Sequence, residues 1–165
     1  MRRIVTSISA AIAVLAFTSA VAFAAVTWHS GPTVTFNGTS SVTATGDSSG
    51  LGNQPAVATL EVRGTVTYTC RNKGGAEAPG QNPVPATGTG TQDLGNSDHN
   101  GRGVLNITVS LDAPAPVVGG KVAGCPNGNW SGVNPVSSGI TGATLTIEQG
   151  GAVIYGPASF DNPNN

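Results

Sequence analysis

Ala58-Thr59-Leu60-Glu61-Val62-Arg63-Gly64-Thr65-Val66-Thr67-Tyr68-Thr69-Cys70 puts mainly apolar side chains at one parity and Thr59, Glu61, Arg63, Thr65, Thr67 and Thr69 at the other. That period of two belongs to a strand with one face on a core and the other in water. The run is rich in threonine and valine and holds a tyrosine, all of which pack well on a pleated surface. It is longer than the usual strand of about 3–10 residues. A bend or bulge is therefore expected at Gly64, dividing the run into two shorter spans. The run ends on Cys70, one of two cysteines in the chain.

Upstream, Asn37-Gly38 is a tight hairpin signal between Thr33–Phe36 and Ser41–Thr45. Gly46 to Pro55 reads as a polar loop. Downstream, Arg71 to Gly103 holds few bulky apolar residues, the prolines Pro79, Pro83 and Pro85, and the run Thr87-Gly88-Thr89-Gly90-Thr91. It reads as a long irregular loop, locally extended, with an edge strand at Gln92–Leu94. After Asn100-Gly101, Leu105, Ile107, Val109 and Leu111 alternate with Asn106, Thr108 and Ser110, a second strand ended by Pro114 and Pro116. Val117-Val118 reads as an edge strand, and Val133 and Val136, set among Asn, Pro and Ser, as an irregular link. Ala143–Glu148 and Val153–Tyr155 flank the Gly150-Gly151 turn as a last hairpin, followed by a frayed tail from Pro157 with Phe160 docked. No stretch beyond residue 24 has helical spacing with a cap. The pattern predicts an all-β fold, an antiparallel two-sheet β-sandwich of about eight strands with long Gly/Pro-rich loops. A half-closed barrel is the nearest alternative.

Residues 1–24 have the anatomy of a secretory signal peptide: Arg2 and Arg3, an apolar run from Ile8 to Val21, and Ala22-Phe23-Ala24 before a cut at Ala25. Removing 24 of 165 residues leaves 141, the size of a single secreted domain, 25–165. Two of the seven basic residues lie in the leader, which leaves five against eight acidic ones, a formal charge of −3. So few, scattered charges make no footprint for nucleic acid or for an anionic membrane. In an oxidising compartment an isolated pair of cysteines forms a bridge. Cys70–Cys125 closes 55 residues and in the chain-entropy picture contributes about 4 kcal/mol.

Trp28, Tyr68-Thr69-Cys70, Ala78-Pro79-Gly80-Gln81-Asn82, Asn100-Gly101-Arg102-Gly103 and Ala123-Gly124-Cys125-Pro126-Asn127 with Asn129-Trp130 follow one another in an order that resembles a group of small secreted proteins of Gram-positive soil bacteria with no assigned activity. The resemblance implies export and one domain, and brings no catalytic or binding residues with it.

Asn96, Asp98 and Asn100 set oxygen-bearing side chains two apart before Gly101, the opening of a calcium-loop pattern, but Ile107 stands where a bidentate Glu is needed. The same residues suit an ordinary turn. For catalysis the neutral bases are His29 and His99, neither in a segment that holds geometry, and no serine has a GxSxG context. Glu61, Arg63 and Glu148 fit a solvated sheet face as well as a hydrolase pair. No residue set calls for a cofactor. The sequence therefore predicts a secreted, extracellular, non-enzymatic surface, matrix or adhesion-type structural or binding protein, with Trp28, Tyr68, Trp130 and Tyr155 as aromatic candidates for an extracellular glycan or protein. An extracellular protease inhibitor using Arg71-Asn72-Lys73, or a small secreted hydrolase, is the alternative. Self-association through the mature N-terminal strand, 25–36, is a further expectation.

Overall fold

A computed structural model describes residues 26–51, 54–95 and 101–164. The signal-peptide reading and the Asn96, Asp98, Asn100 set lie outside the described residues. Within them the chain forms nine strands and one helical turn, with Cys70 bonded to Cys125. The strands are β1 (Thr27–Asn37), β2 (Ser41–Ser49), β3 (Ala56–Asn72), β4 (Glu77–Pro79), β5 (Val84–Gly95), β6 (Gly103–Ser110), β7 (Val117–Gly119), β8 (Trp130–Gln149) and β9 (Ala152–Asp161); α1 is Gly120–Ala123.

The alternating run with which the chain is best read becomes β3, and its parity holds throughout: Ala58, Leu60, Val62, Val66, Tyr68 and Cys70 are all buried. It pairs antiparallel with β8 from Ala56↔Gln149 to Asn72↔Trp130. Gly64 does not divide it. The expected irregularity falls there as a register shift against β8 between Arg63 and Gly64, where a β-carbon on Gly64 would meet the Gly139 carbonyl at 2.2 Å. β5 and β4 share the outer edge of β3, and β9 and β7 the outer edge of β8. The second sheet has the order β1-β2-β6. Between the sheets, Val42, Ala44, Leu60, Val62, Leu105, Ile107, Leu145 and Ile147 make the main core. The two sheets are antiparallel throughout.

Three loop expectations are corrected. Thr87 to Thr91 is not loop but the middle of the twelve-residue β5, paired with β3 from Ala56↔Gly95 to Val66↔Val84. Its glycines stand at the inward parity because the opposite sheet leaves no room: a β-carbon on Gly88 would lie 1.9 Å from the Ser110 carbonyl oxygen, and one on Gly90 2.6 Å from Val109. Val133 and Val136 are not in an irregular link but in β8, where a shift in register takes up the segment holding Asn134, at φ 50°, and Pro135. The C-terminal tail is ordered in β9 as far as Asp161, with a break at Gly156-Pro157 and Phe160 packed on the core. Smaller differences are a three-residue rather than two-residue turn after Asn37, and β2 running on to Ser49.

The seams between the sheets are unequal. On one side the Gln92 side chain fastens β5 to the edge of β6: its Nε2 donates to the Val104 carbonyl at 3.0 Å and its Oε1 accepts from the Asn106 amide at 2.8 Å. The Asp112 amide adds a bond to the Thr87 carbonyl, 2.9 Å. On the other side, where β1 faces β9, Trp28 and Tyr155 meet edge to face at 5.3 Å. Beyond Val66 the second sheet no longer covers β3 and β8. There a smaller core of Val66, Tyr68, Cys70, Ala86 and Ala123 is closed by Leu111, Val118, Cys125 and Trp130, and the Tyr68 hydroxyl donates to the Ala115 carbonyl at 2.7 Å.

Gly88→Val forces the sheets apart and is expected to lower unfolding free energy in urea by about 2–3 kcal/mol, whereas Thr89→Ala on the exposed parity stays within about 0.5 kcal/mol. Removing the bridge by Cys70→Ala with Cys125→Ala is expected to remove about 2–5 kcal/mol in the same titration.

Candidate functional site

Two segments that each follow a cysteine come together at the end of the large sheet. After Cys70, β3 runs out through Arg71 and Asn72 into a turn held by Asn72: its carbonyl accepts from the Gly75 amide, its Oδ1 accepts from the Ala76 amide, and its own amide donates to the Ala76 carbonyl, all at 2.9–3.0 Å. The turn holds Lys73 and Gly74 out in solvent. After Cys125, Asn127 organises the approach to β8. Its Oδ1 accepts from the Asn129 amide at 3.0 Å and its carbonyl from the Trp130 amide at 3.2 Å. The disulfide and the Asn72↔Trp130 pairing fasten the segments to each other.

Between them lies an open hollow of about 510 Å³ lined by Asn72, Lys73, Gly74, Asn127, Asn129 and Trp130. A second hollow of about 330 Å³ shares Asn72, Lys73 and Asn129 and continues past Arg71 and Ser131 to Val117 and Val133. Trp130 is half-buried, packed on the small core with Cys125 behind it. No acidic side chain lines either hollow. Arg71 is engaged by Glu77, its Nε 2.8 Å from the carboxylate, while Lys73 has no ion-pair partner among the described residues. The lining thus offers amides that both donate and accept, an indole and one ammonium.

The four aromatic candidates are not brought together. Trp130 is at the hollow. Tyr68 is 2% exposed with its hydroxyl occupied, and so belongs to the core. Trp28 and Tyr155 share the open seam, where the Trp28 ring lies over Gly46 and its buried indole N–H has no hydrogen-bond partner among the described residues. Burial there raises the Tyr155 phenol above its ordinary value of 10.0. His29 is exposed on β1. Glu61 and Glu148 do lie on neighbouring strands, but Glu61 faces Thr144 and Glu148 faces Val57. Four residues of strand, about 13 Å, separate them, beyond the reach of a glycosidase carboxylate pair. No group of three His, Cys, Asp or Glu gathers into a metal-holding arrangement among the described residues. No helix among them is long and apolar enough to cross a membrane.

Asn72, Asn127 and Asn129 are the site residues that the aromatic pattern alone misses. The available signal was their position: each lies within four residues of a cysteine, on its C-terminal side, so one bridge collects them. Comparison with protein-family models, with curated proteins and with solved structures finds no match. What the hollow can do follows from its own side chains.

A phenol whose folded-state pKa is raised contributes stability that is complete below its unfolded pKa and is lost as pH climbs through the folded value. Unfolding free energy is therefore expected to fall as pH passes about 10, and Tyr155→Phe to remove part of that fall, as read by denaturant titration across alkaline pH.

Proposed function

We propose that this is a secreted, non-enzymatic extracellular protein of the surface, matrix or adhesion kind that holds a glycan in the hollow beside its disulfide. One observation carries the reading: the bridge gathers three asparagines and a lysine around a half-buried indole with no carboxylate among the lining residues. A sugar ring has an apolar face and a rim of hydroxyls. An indole serves the first, and side-chain amides serve the second because each both donates and accepts. Lys73, without an ion-pair partner among the described residues, favours sugars that carry a carboxylate or phosphate. Export is supported by the leader-like residues 1–24 and by a disulfide of the kind that persists outside the reducing cytoplasm.

The protease-inhibitor alternative gains less support, because Arg71-Asn72-Lys73 ends in a closed turn rather than in an extended segment that could lie along a protease cleft as an added strand.

The reading is tested by applying the mature chain, from Ala25 onward, to a glycan array and to insoluble polysaccharides. Capture is expected, with acidic glycans preferred and the preference weakened by salt. Asn129→Ala is expected to weaken capture about 2- to 10-fold, the loss of one hydrogen bond, with no change in melting temperature. Lys73→Met is expected to erase the acidic preference while retaining neutral sugars. An empty result on both supports overturns the proposal.

A further inference from the structure

Each outermost strand among the described residues carries a device against pairing with another chain, except one. β4 and β7 are three residues long. β5 and β6 are fastened to each other through Gln92. β9 is broken at Gly156-Pro157 and ends on Asp161. β1 is broken in its first half by two register shifts and Pro32, but its second half, Thr33-Val34-Thr35-Phe36-Asn37, pairs with β2 without a shift and has no partner on its outer side. It holds no charge, no proline and no glycine. Such a row of free backbone donors and acceptors is a template for another strand. Val34, Thr35 and Phe36 also line, with Phe160, Asp161, Pro163 and Asn164, an open groove of about 500 Å³ along the seam facing β9.

The segment is its own complement. Under a two-fold rotation about Thr35, Thr33 faces Asn37, Val34 faces Phe36 and Thr35 faces Thr35 of the second copy. Polar residues then meet polar ones on the wet face and apolar ones meet over the groove. We infer that β1 pairs antiparallel with β1 of a second copy through residues 33–37, joining the two three-stranded sheets into one of six strands. The contact is isologous, so it closes at a dimer and does not propagate. The N-terminal strand is thus not handed over to a neighbour; it stays in its own sheet and offers its outer edge. This surface shares no residue with the hollow beside the disulfide.

Sedimentation velocity on the mature protein from about 1 μM to about 1 mM, a range spanning moderate to weak affinity, is expected to show a monomer–dimer equilibrium. Two single-proline variants, Val34→Pro and Thr35→Pro, sort the contact from the fold. Neighbouring amides of a strand point to opposite edges, so one variant loses a bond to β2 and melts at lower temperature, while the other loses only the outer donor. The variant that keeps the native melting temperature is expected to be monomeric throughout. Thr35→Cys is expected to cross-link as a dimer on oxidation, and Thr43→Cys, on the next strand, not to. A wild-type monomer at every concentration, a dimer untouched by the native-melting proline variant, or cross-linking equal at positions 35 and 43 overturns the inference.

Discussion

The ladder between β3 and β8 is the constraint to which the rest of the molecule answers. These strands are 17 and 20 residues long, whereas the three-stranded sheet packed on them is made of strands of 8 to 11 residues. At about 3.4 Å per residue the long pair outruns its cover. Its inward side chains must be buried along the whole length, because leaving a Val or Tyr exposed forgoes about 1.5–3 kcal/mol. The chain meets this with two different lids. One is a sheet, over Leu60, Val62, Leu145 and Ile147. The other is the single helical turn, β7, the Leu111–Ala113 stretch and the disulfide, over Val66, Tyr68 and Cys70. A lid made of loops is ragged where a sheet is smooth, and the hollow at Trp130 is the gap it leaves.

The same constraint decides what was legible in the sequence. β3 and β6 could be read because apolar residues alternate along them, broken in β3 only by Gly64 and unbroken in Leu105, Ile107 and Val109 of β6. β5 has the same period, but its inward residues include Gly88 and Gly90, since β6 approaches too closely for any side chain. Alternating Gly and Thr resembles linker composition when hydrophobicity is the only guide. β8 was half-legible for another reason. Register shifts at Val133–Val136 and near Ile140 change the parity, so no single period runs through it. The site was legible only in part. An aromatic beside a cysteine is visible in sequence, but the amides that complete the hollow are 55 residues apart (Asn72 and Asn127) and meet only once the bridge is drawn.

The two seams show how differently a sandwich can deal with its open sides. Gln92 satisfies β6 with a side-chain amide that stands in for a missing strand, offering a donor and an acceptor at the spacing of a backbone unit. Among the described residues no side-chain amide is hydrogen-bonded to the outer edge of β1 in this way, although Asn164 lines the groove beside it. There the Trp28–Tyr155 contact closes one end by packing alone, and Val34, Phe36 and Phe160 stay half-buried. Aromatic contact excludes water from side chains but leaves the outer backbone groups of β1 to solvent, where a further strand can take the place of water. The edge opposite the laced seam is therefore where an association of this protein has the most to gain.

Proposed dimer and proposed hollow bear on each other through affinity. An open hollow with one half-buried indole and a few amides holds a sugar weakly, because exposed hydrogen bonds exchange with water at a net gain of about 0.5–1.5 kcal/mol each. A repeating polysaccharide presents the same epitope many times. Two hollows on a two-fold dimer convert the second contact into an intramolecular one, and avidity can then exceed the single-site affinity by about 10²–10⁴ without any new contact, provided that the spacing of epitopes matches that of the hollows. An unprotected edge carries a standing risk of aggregation. Here the isologous geometry caps that risk at two copies while doubling the number of hollows presented to one polymer.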